Sequence, residues 1–342
     1  MRRLVIDLAD ARPIFALPDS AIDAIRAVAP DWELTVVDAA ADGTGDGGVR
    51  ASGAALEAVR NGAEIYMGFG IPAELLRQGR ALRWVHSGAA GVRGSLTPEL
   101  LRSDIVFTNS AGIHGPPVAE TVLGYLLHFA RGLDHALRAQ HRGEWDKRPF
   151  DAADAPVREL SRSTVGIIGL GGLGREVAWR AAALGARVVG TRRRSLDVPL
   201  EGVEVLRGDD ALDRLLETSH YVVLTLPETT ETRGLIDGPA LDRMRPDAVL
   251  VNVARGGLVH TDALVDALRA GRLRGAALDT FPREPLPPGD PLWSVPGLLI
   301  TPHTSAYTHR FWEREAELIV DNFRRYLSGE PLRNVVDKSA GY

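Results

Sequence analysis

Short apolar runs separated by amphipathic stretches recur from the first residues of the chain. "RLVIDL" reads as a strand, "DSAIDAIRAVA" as a helix capped by Asp19 or Ser20, and "WELTVVD" as a second strand. "ASGAALEAVRNG" predicts a helix stopped at Gly62. "AEIYMGF", "LRWVHS" and "IVFTN" predict further strands, with short helices at "PAELLRQG" and "TPELLRS" between them. Such alternation implies a parallel sheet covered on both faces by helices. The stretch "DAAADGTGDGGVRASG" over 38–53 interrupts it and reads as a mobile loop near the sheet edge. From Pro117, "VAETVLGYLLHFARGLDHALRAQHRGEW" carries an apolar stripe and predicts one helix of about four turns or more, with proline at its start.

After the loop "DKRPFDAADAPVREL" the alternation resumes with "TVGIIG", then "YVVLTLP", "PALDRM", "AVLVNVA", "TDALVDALRAG", "GAALDTF" and "GLLITPH". A final helix, "FWEREAELIVDNFRRYLSG", and a tail close the chain. No period of 20–50 residues repeats, yet both halves share one architecture. The pattern therefore predicts an α/β protein of two doubly wound parallel-sheet domains. Hinges are expected near Gly112 to Pro117 and just after His303. The second module is then an insertion, with residues 1–113 and 307–342 forming one domain and 114–306 the other. Small ligands favour clefts between domains, so the site is expected there.

A chain of 342 residues can build two such cores, and 45% hydrophobic with 25% charged residues is an ordinary globular composition. A net charge of −5 and scattered arginines argue against nucleic acid as a partner. The absence of cysteine excludes disulfides, thiolate metal ligands and a cysteine nucleophile, and no metal site is predicted. Asp7 and Asp10 interrupt the first apolar run, so "MRRLVIDLADARP" forms no signal-peptide core. No window reaches 18 uninterrupted apolar residues, so no membrane span is predicted and the expected compartment is the cytoplasm.

The stretch "TVGIIGLGGLGREVAWRAAALGARVVGTRRR" carries the first chemistry. Gly169, Gly171 and Gly174 form G-x-G-x-x-G between an apolar strand and a helix, with a second strand, "ARVVGT", following. Gly169 allows a tight turn, Gly171 lets backbone approach a pyrophosphate, and Gly174 lets the helix pack closely on the sheet. The helix start supplies free N–H groups and partial positive charge for that phosphate. A carboxylate usually follows the second strand and binds the ribose 2′-OH; here Thr191, Arg192, Arg193 and Arg194 stand in its place. Guanidinium groups suit a 2′-phosphate. The expected cofactor is NADP(H), with NAD(H) as the alternative.

Three later segments, "VNVARGGLVH", "ALDTFPREPLP" and "LLITPHTSAYT", lie just past strand ends and present Arg255, Glu284 and His303. Reduction of a 2-oxo acid needs a fixed cation for the carboxylate, an acid for the forming alkoxide and a group that keeps that acid protonated. Arg255 suits the first task, His303 the second, and Glu284 the third if it touches the imidazole.

Taken together, these segments resemble the D-isomer-specific 2-hydroxyacid dehydrogenase family over nearly the whole chain. "WVHSGAAGV", "FTNSAGIHGPPVAET" and "LPETTETRGLI" are similar to its substrate loop, hinge and cofactor-side loop. The resemblance implies a Rossmann dinucleotide-binding domain inserted in a flavodoxin-like substrate domain. It implies catalysis by Arg255, Glu284 and His303, and substrate contacts on Arg255 and the backbone of Gly88, Ala89, Ala90 and Gly91. It further implies cofactor contacts at Thr121, Leu173, Gly174, Arg192, Pro227, Val253 and Asp279, the last holding the nicotinamide amide. Family phosphoglycerate dehydrogenases carry arginine in the substrate loop where this chain has Ser87, and often continue into a regulatory domain. The arginine-ended strand is similar instead to NADPH-dependent glyoxylate and hydroxypyruvate reductases. The expected activity is reduction of small 2-oxo acids to D-2-hydroxy acids by a homodimer joined through the helix from Pro117. The alternatives are a phosphoglycerate-dehydrogenase-like NAD enzyme and a non-catalytic nucleotide-sensing protein of this fold. Trp145, Trp293, Tyr307 and Trp312 are candidates for shaping a pocket.

Overall fold

The computed structural model describes residues 1–38, 51–193 and 199–341. Most of the glycine- and aspartate-rich loop expected over 38–53, together with Arg194, lies outside them. The chain divides into two compact units, one of residues 1–114 and 307–342, the other of residues 115–306. Among the described residues no helix is long and apolar enough to cross a membrane.

The first unit runs β1 (Arg3–Asp7), α1 (Asp19–Val28), β2 (Glu33–Val36), α2 (Gly53–Arg60), β3 (Ile65–Gly68), α3 (Ala73–Gln78), β4 (Trp84–Ser87), α4 (Pro98–Leu101) and β5 (Val106–Asn109). Its sheet is wholly parallel in the order β2-β1-β3-β4-β5, the flavodoxin-like arrangement. Strands β3 and β4 are buried at every position, as a sheet covered on both faces requires. The cap expected at Asp19 or Ser20 does not form. Proline 18 holds the cap position, and Asp19 is the first helical residue, where its charge faces the positive helix end. Gly62 does end α2, at φ +94° just beyond the cap.

The second unit begins with α5 (Gly115–Ala130) and α6 (Leu133–His141), where the sequence predicted one helix. The break lies at Gly132, which takes a left-handed φ of +64°. A Cβ there would stand 2.7 Å from the Phe150 ring, so only glycine fits the turn. The short helix α7 (Arg148–Asp151) follows. Then come β6 (Thr164–Ile168), α8 (Gly172–Ala183), β7 (Arg187–Thr191), β8 (Val203–Leu206), α9 (Ala211–Thr218), β9 (Tyr221–Leu224), α10 (Gly238–Arg243), β10 (Val249–Asn252), α11 (Thr261–Arg269), β11 (Gly275–Leu278) and β12 (Leu298–Ile300). The seven strands are parallel in the order β8-β7-β6-β9-β10-β11-β12, so the strand order reverses at β6, the Rossmann switch point. One apolar cluster, with Val122, Leu126, Val177 and Val251, packs α5 and α8 on one face; another, with Leu215, Leu241, Leu264 and Leu250, packs α9, α10 and α11 on the other.

The chain then returns to the first unit in α12 (Phe311–Ser328). Phe311, Trp312, Ile319 and Phe323 complete the core over Leu4, Ile6, Ile25 and Trp84. Trp312 is thus core, its indole N–H donating to the Phe15 carbonyl at 2.8 Å.

Candidate active site

The glycine loop begins where β6 ends. Gly169 turns the chain at φ +105°, in the region that favours glycine. A Cβ on Gly174 would lie 2.2 Å from the Gly169 carbonyl oxygen, so the third glycine is what lets α8 close onto the turn. Around Gly171 and Gly172 a Cβ would meet nothing within 4 Å, and Gly171 caps α8 without any side-chain acceptor. An open backbone at the positive end of a 12-residue helix fits an anionic diphosphate. The residues present therefore suit a dinucleotide.

The neighbouring positions are arranged around that turn. The Thr191 carbonyl accepts the Gly169 and Leu170 amides at 3.1 and 2.9 Å. Arg192 lies half-buried with Nη1 at 3.5 Å from the Leu170 carbonyl, and Arg193 is exposed and pairs with Glu231 at 2.7 Å. Leu173 and Val253 pack into the core beneath the loop. Pro227 is exposed after β9, its carbonyl accepting from the Thr232 hydroxyl at 2.8 Å. The Thr121 hydroxyl is directed to the Pro117 and Ser305 carbonyls, at 3.1 and 3.3 Å.

Asp279 is tied to the 301–305 turn. The residue has no exposed surface, and both carboxylate oxygens accept hydrogen bonds from Thr301, Thr304 and Ser305. A carboxylate has about four acceptor sites, and four donors fill them here.

Arg255, Glu284 and His303 do come together. Asn252, at the end of β10, is buried; its amide donates to the Arg255 carbonyl at 2.8 Å and its oxygen accepts the Ala254 amide at 3.0 Å. Gly256 follows, and a Cβ on it would sit 2.0 Å from the Phe281 carbonyl carbon. That close approach seats the arginine turn against the segment carrying Glu284. The Glu284 carboxylate accepts the Phe281 amide at 2.8 Å through Oε1 and holds His303 Nδ1 at 2.7 Å through Oε2. This hydrogen bond and the Glu284 charge raise the His303 pKa against the opposing effects of burial and Arg255. For Glu284 itself burial pushes upward, but the His303 and Phe281 hydrogen bonds and the charges of His303 and Arg255 prevail, and its pKa falls. Arg255 is thus close enough to act electrostatically on both partners; its own Nη1 donates to the Ala254 carbonyl at 2.6 Å.

In the first unit, the loop expected to take substrate follows β4. Gly88 and Ala89 are buried, Ala90 is exposed and Gly91 lies between. The Gly88 amide continues the sheet to the Gly68 carbonyl at 2.9 Å. Asn109 fixes the loop by donating to the Ala90 carbonyl at 2.8 Å. Sequence reasoning missed Asn109, Asn252 and Gly256. The signal available was the short Asn-to-Arg spacing in "NVARGG", a pattern that suits a side-chain-closed turn.

The chain resembles known proteins over most of its length. Residues 123–305 match the sequence model of the D-isomer specific 2-hydroxyacid dehydrogenase, NAD binding domain. A glyoxylate reductase of Thermofilum pendens is 33% identical over 271 residues, 78% of this chain and 78% of that protein. A D-3-phosphoglycerate dehydrogenase of Methanocaldococcus jannaschii is 31% identical over 77% of this chain, and the chain spans 49% of that longer relative. Among solved structures, an NADPH-dependent glyoxylate/hydroxypyruvate reductase of Sinorhizobium meliloti, in complex with NADP and sulfate, superimposes with a TM-score of 0.78 at 28% identity, covering 100% of both chains. With the glycine turn, the Arg255, Glu284 and His303 constellation and these likenesses in hand, the chain belongs to the D-isomer-specific 2-hydroxyacid dehydrogenase family, a family of NAD(P)-dependent oxidoreductases.

Proposed function

We propose that the protein is a cytoplasmic, NADPH-preferring reductase of small 2-oxo acids, of the glyoxylate and hydroxypyruvate type, that yields D-2-hydroxy acids. The 2.7 Å bond from His303 Nδ1 to Glu284, beside Arg255, carries the reading. Residues 115–306 serve as the dinucleotide domain, and 1–114 with 307–342 as the substrate domain. Gly169, Gly171 and Gly174 hold the diphosphate, Leu173, Val253, Pro227 and Thr121 border the rest of the cofactor, and Arg192 and Arg193 take the 2′-phosphate with Thr191 at the strand end. A nicotinamide bound there would supply a hydride for the keto carbon.

The protein's own residues do the remainder. Arg255 binds the substrate carboxylate through a planar pair of N–H groups that never lose their charge. Because Glu284 accepts from Nδ1, the imidazolium directs its other proton, on Nε2, to the keto oxygen. The Ala90 and Gly91 amides offer further donors to the carboxylate. The likeness to a glyoxylate reductase and to an NADPH-dependent reductase supports substrate and cofactor. The exposed Leu127, Leu133, Leu137 and Trp145 on and after α5 and α6 suit the contact of a homodimer, which sedimentation of the wild type against Leu137→Glu would test.

Turnover with a panel of 2-oxo acids tests the reading. His303→Gln is expected to lower kcat for glyoxylate by about 10²- to 10⁴-fold, the usual range for a general acid; a loss of only a few fold would defeat the assignment. The protonated imidazole is the competent form for reduction. Reduction therefore falls as pH rises through the raised His303 pKa, and oxidation of the hydroxy acid gains over the same interval. A reductive rate that climbs with pH there would contradict the proton's direction.

A further inference from the structure

We propose that Glu315, acting through His86 and Ser110, is the positioning residue of the 87–91 loop, and so governs affinity for the substrate carboxylate without touching it. This role rests on the reading that the Ala90 and Gly91 amides receive that carboxylate, and deepens it. His86 lies in β4 just before the loop, and Ser110 follows β5 directly. Glu315 lies in α12, 205 residues beyond Ser110. None of the three has any exposed surface, and the proton and hydride steps use none of them.

The bonds run in a definite direction. The indole N–H of Trp84 can only donate, and it donates to the Thr108 hydroxyl at 2.8 Å. That leaves the Thr108 proton for His86 Nδ1, also at 2.8 Å, so Nε2 carries the ring proton and gives it to Glu315 Oε1 at 2.9 Å. Ser110 Oγ stands 2.9 Å from that same Oε1 and 2.9 Å from the Ser87 carbonyl, so its one proton is shared between them. The trio is no nucleophilic triad. Serine and glutamate meet the same ring nitrogen, Ser110 at 3.4 Å, and buried side chains offer no approach to an ester or amide.

The loop is gripped by its carbonyls. Ser110 Oγ reaches the Ser87 carbonyl, the Ser110 amide reaches that of Ala89 at 3.4 Å, and the Asn109 side chain reaches that of Ala90 at 2.8 Å. The Ser87 hydroxyl accepts the Ala89 amide at 3.3 Å. Every tether spares the Ala90 and Gly91 amides, which have no acceptor among the described residues. Two of the three carbonyl grips come from Ser110, and Glu315 with His86 fixes where Ser110 stands. Glu315 Oε2, meanwhile, is buried with no hydrogen-bond partner among the described residues. An apolar side chain of the same size would fill the space without that penalty, so the use of a carboxylate here lies in what Oε1 holds.

The test uses the full chain with NADPH and glyoxylate. Glu315→Met removes the acceptor at nearly constant volume. It is expected to raise KM for glyoxylate about tenfold, the worth of one hydrogen bond to a charged group. KM for NADPH should stay within about twofold. The change in kcat should be smaller than that in KM, because the carboxylate is held alike before and during reaction. Tm should be equal to the wild type or higher, as when other buried polar groups are replaced by apolar ones. Glu315→Gln keeps an acceptor oxygen and should keep KM for glyoxylate near the wild type. Should Glu315→Met not fold, Ser110→Ala deletes a single oxygen and should raise the same KM. A lowered Tm with KM for glyoxylate unchanged, in either Glu315→Met or Ser110→Ala, would reduce Glu315 to a structural part and overturn the proposal. So would a rise in KM for Glu315→Gln as large as for Glu315→Met. An unchanged KM in Gly91→Pro, which deletes a loop amide, would instead remove the carboxylate reading beneath it, a separate failure.

Discussion

Arg193 meets a carboxylate before it meets any ligand. Its 2.7 Å pair with Glu231 leaves the two side chains 60% and 72% exposed, so it adds little to stability. Its consequence is competition, because a 2′-phosphate and Glu231 seek the same guanidinium. Glu231→Gln is expected to raise kcat/KM for NADPH severalfold and leave NADH nearly unchanged, whereas Arg192→Asp should shift the ratio toward NADH. A preference for NADH in the wild type would remove the basis for both. The arginines were legible in the sequence, since the glycine motif and one strand repeat fix where β7 must end. Glu231 was not. It lies 38 residues on, after β9, and meets Arg193 only because the strand order folds back at β6. The bonds of Asp279 were hidden for a related reason: sequence shows a carboxylate at a strand end but not the loop that returns to bond it.

At the scale of elements, the second and third glycines of the nucleotide turn make different demands. Gly174 is required by the fold, because a Cβ there would enter the Gly169 carbonyl oxygen at 2.2 Å. Gly171 faces open space, so its requirement comes only from what binds. Gly174→Ala should therefore lower both Tm and NADPH affinity, and Gly171→Ala should leave Tm alone while weakening NADPH. A Tm loss at Gly171 equal to that at Gly174 would contradict the division. Periodicity revealed the strands of both sheets where apolar runs were continuous, as in β6 and β9. It missed β8, an edge strand broken by Glu204, and the short α9 beside it. It also ran α5 and α6 together, because an apolar stripe passes through Gly132 without recording that residue's left-handed turn.

Across the whole molecule, the split of one unit around the other was readable from the hinge stretches, and the parallel order of each sheet from strand and helix alternation. What no local pattern could reveal is how the last helix serves the first strands. Phe311, Ile319 and Phe323 are almost wholly buried, and they fill one face of a sheet whose strands end by Asn109. Residues 115–306 carry their own core and need no later segment to close it. A chain leaving the ribosome therefore matures out of order: the middle can settle first, while the beginning waits with an uncovered flank for the end to arrive. Pulse-labelled nascent chains stalled before residue 307 should resist protease through the middle and remain cleavable at the start. Chaperone demand, on this view, is concentrated in the interval between the first strands and the last helix. Early protection of the amino-terminal sheet would show that it closes without its final partner.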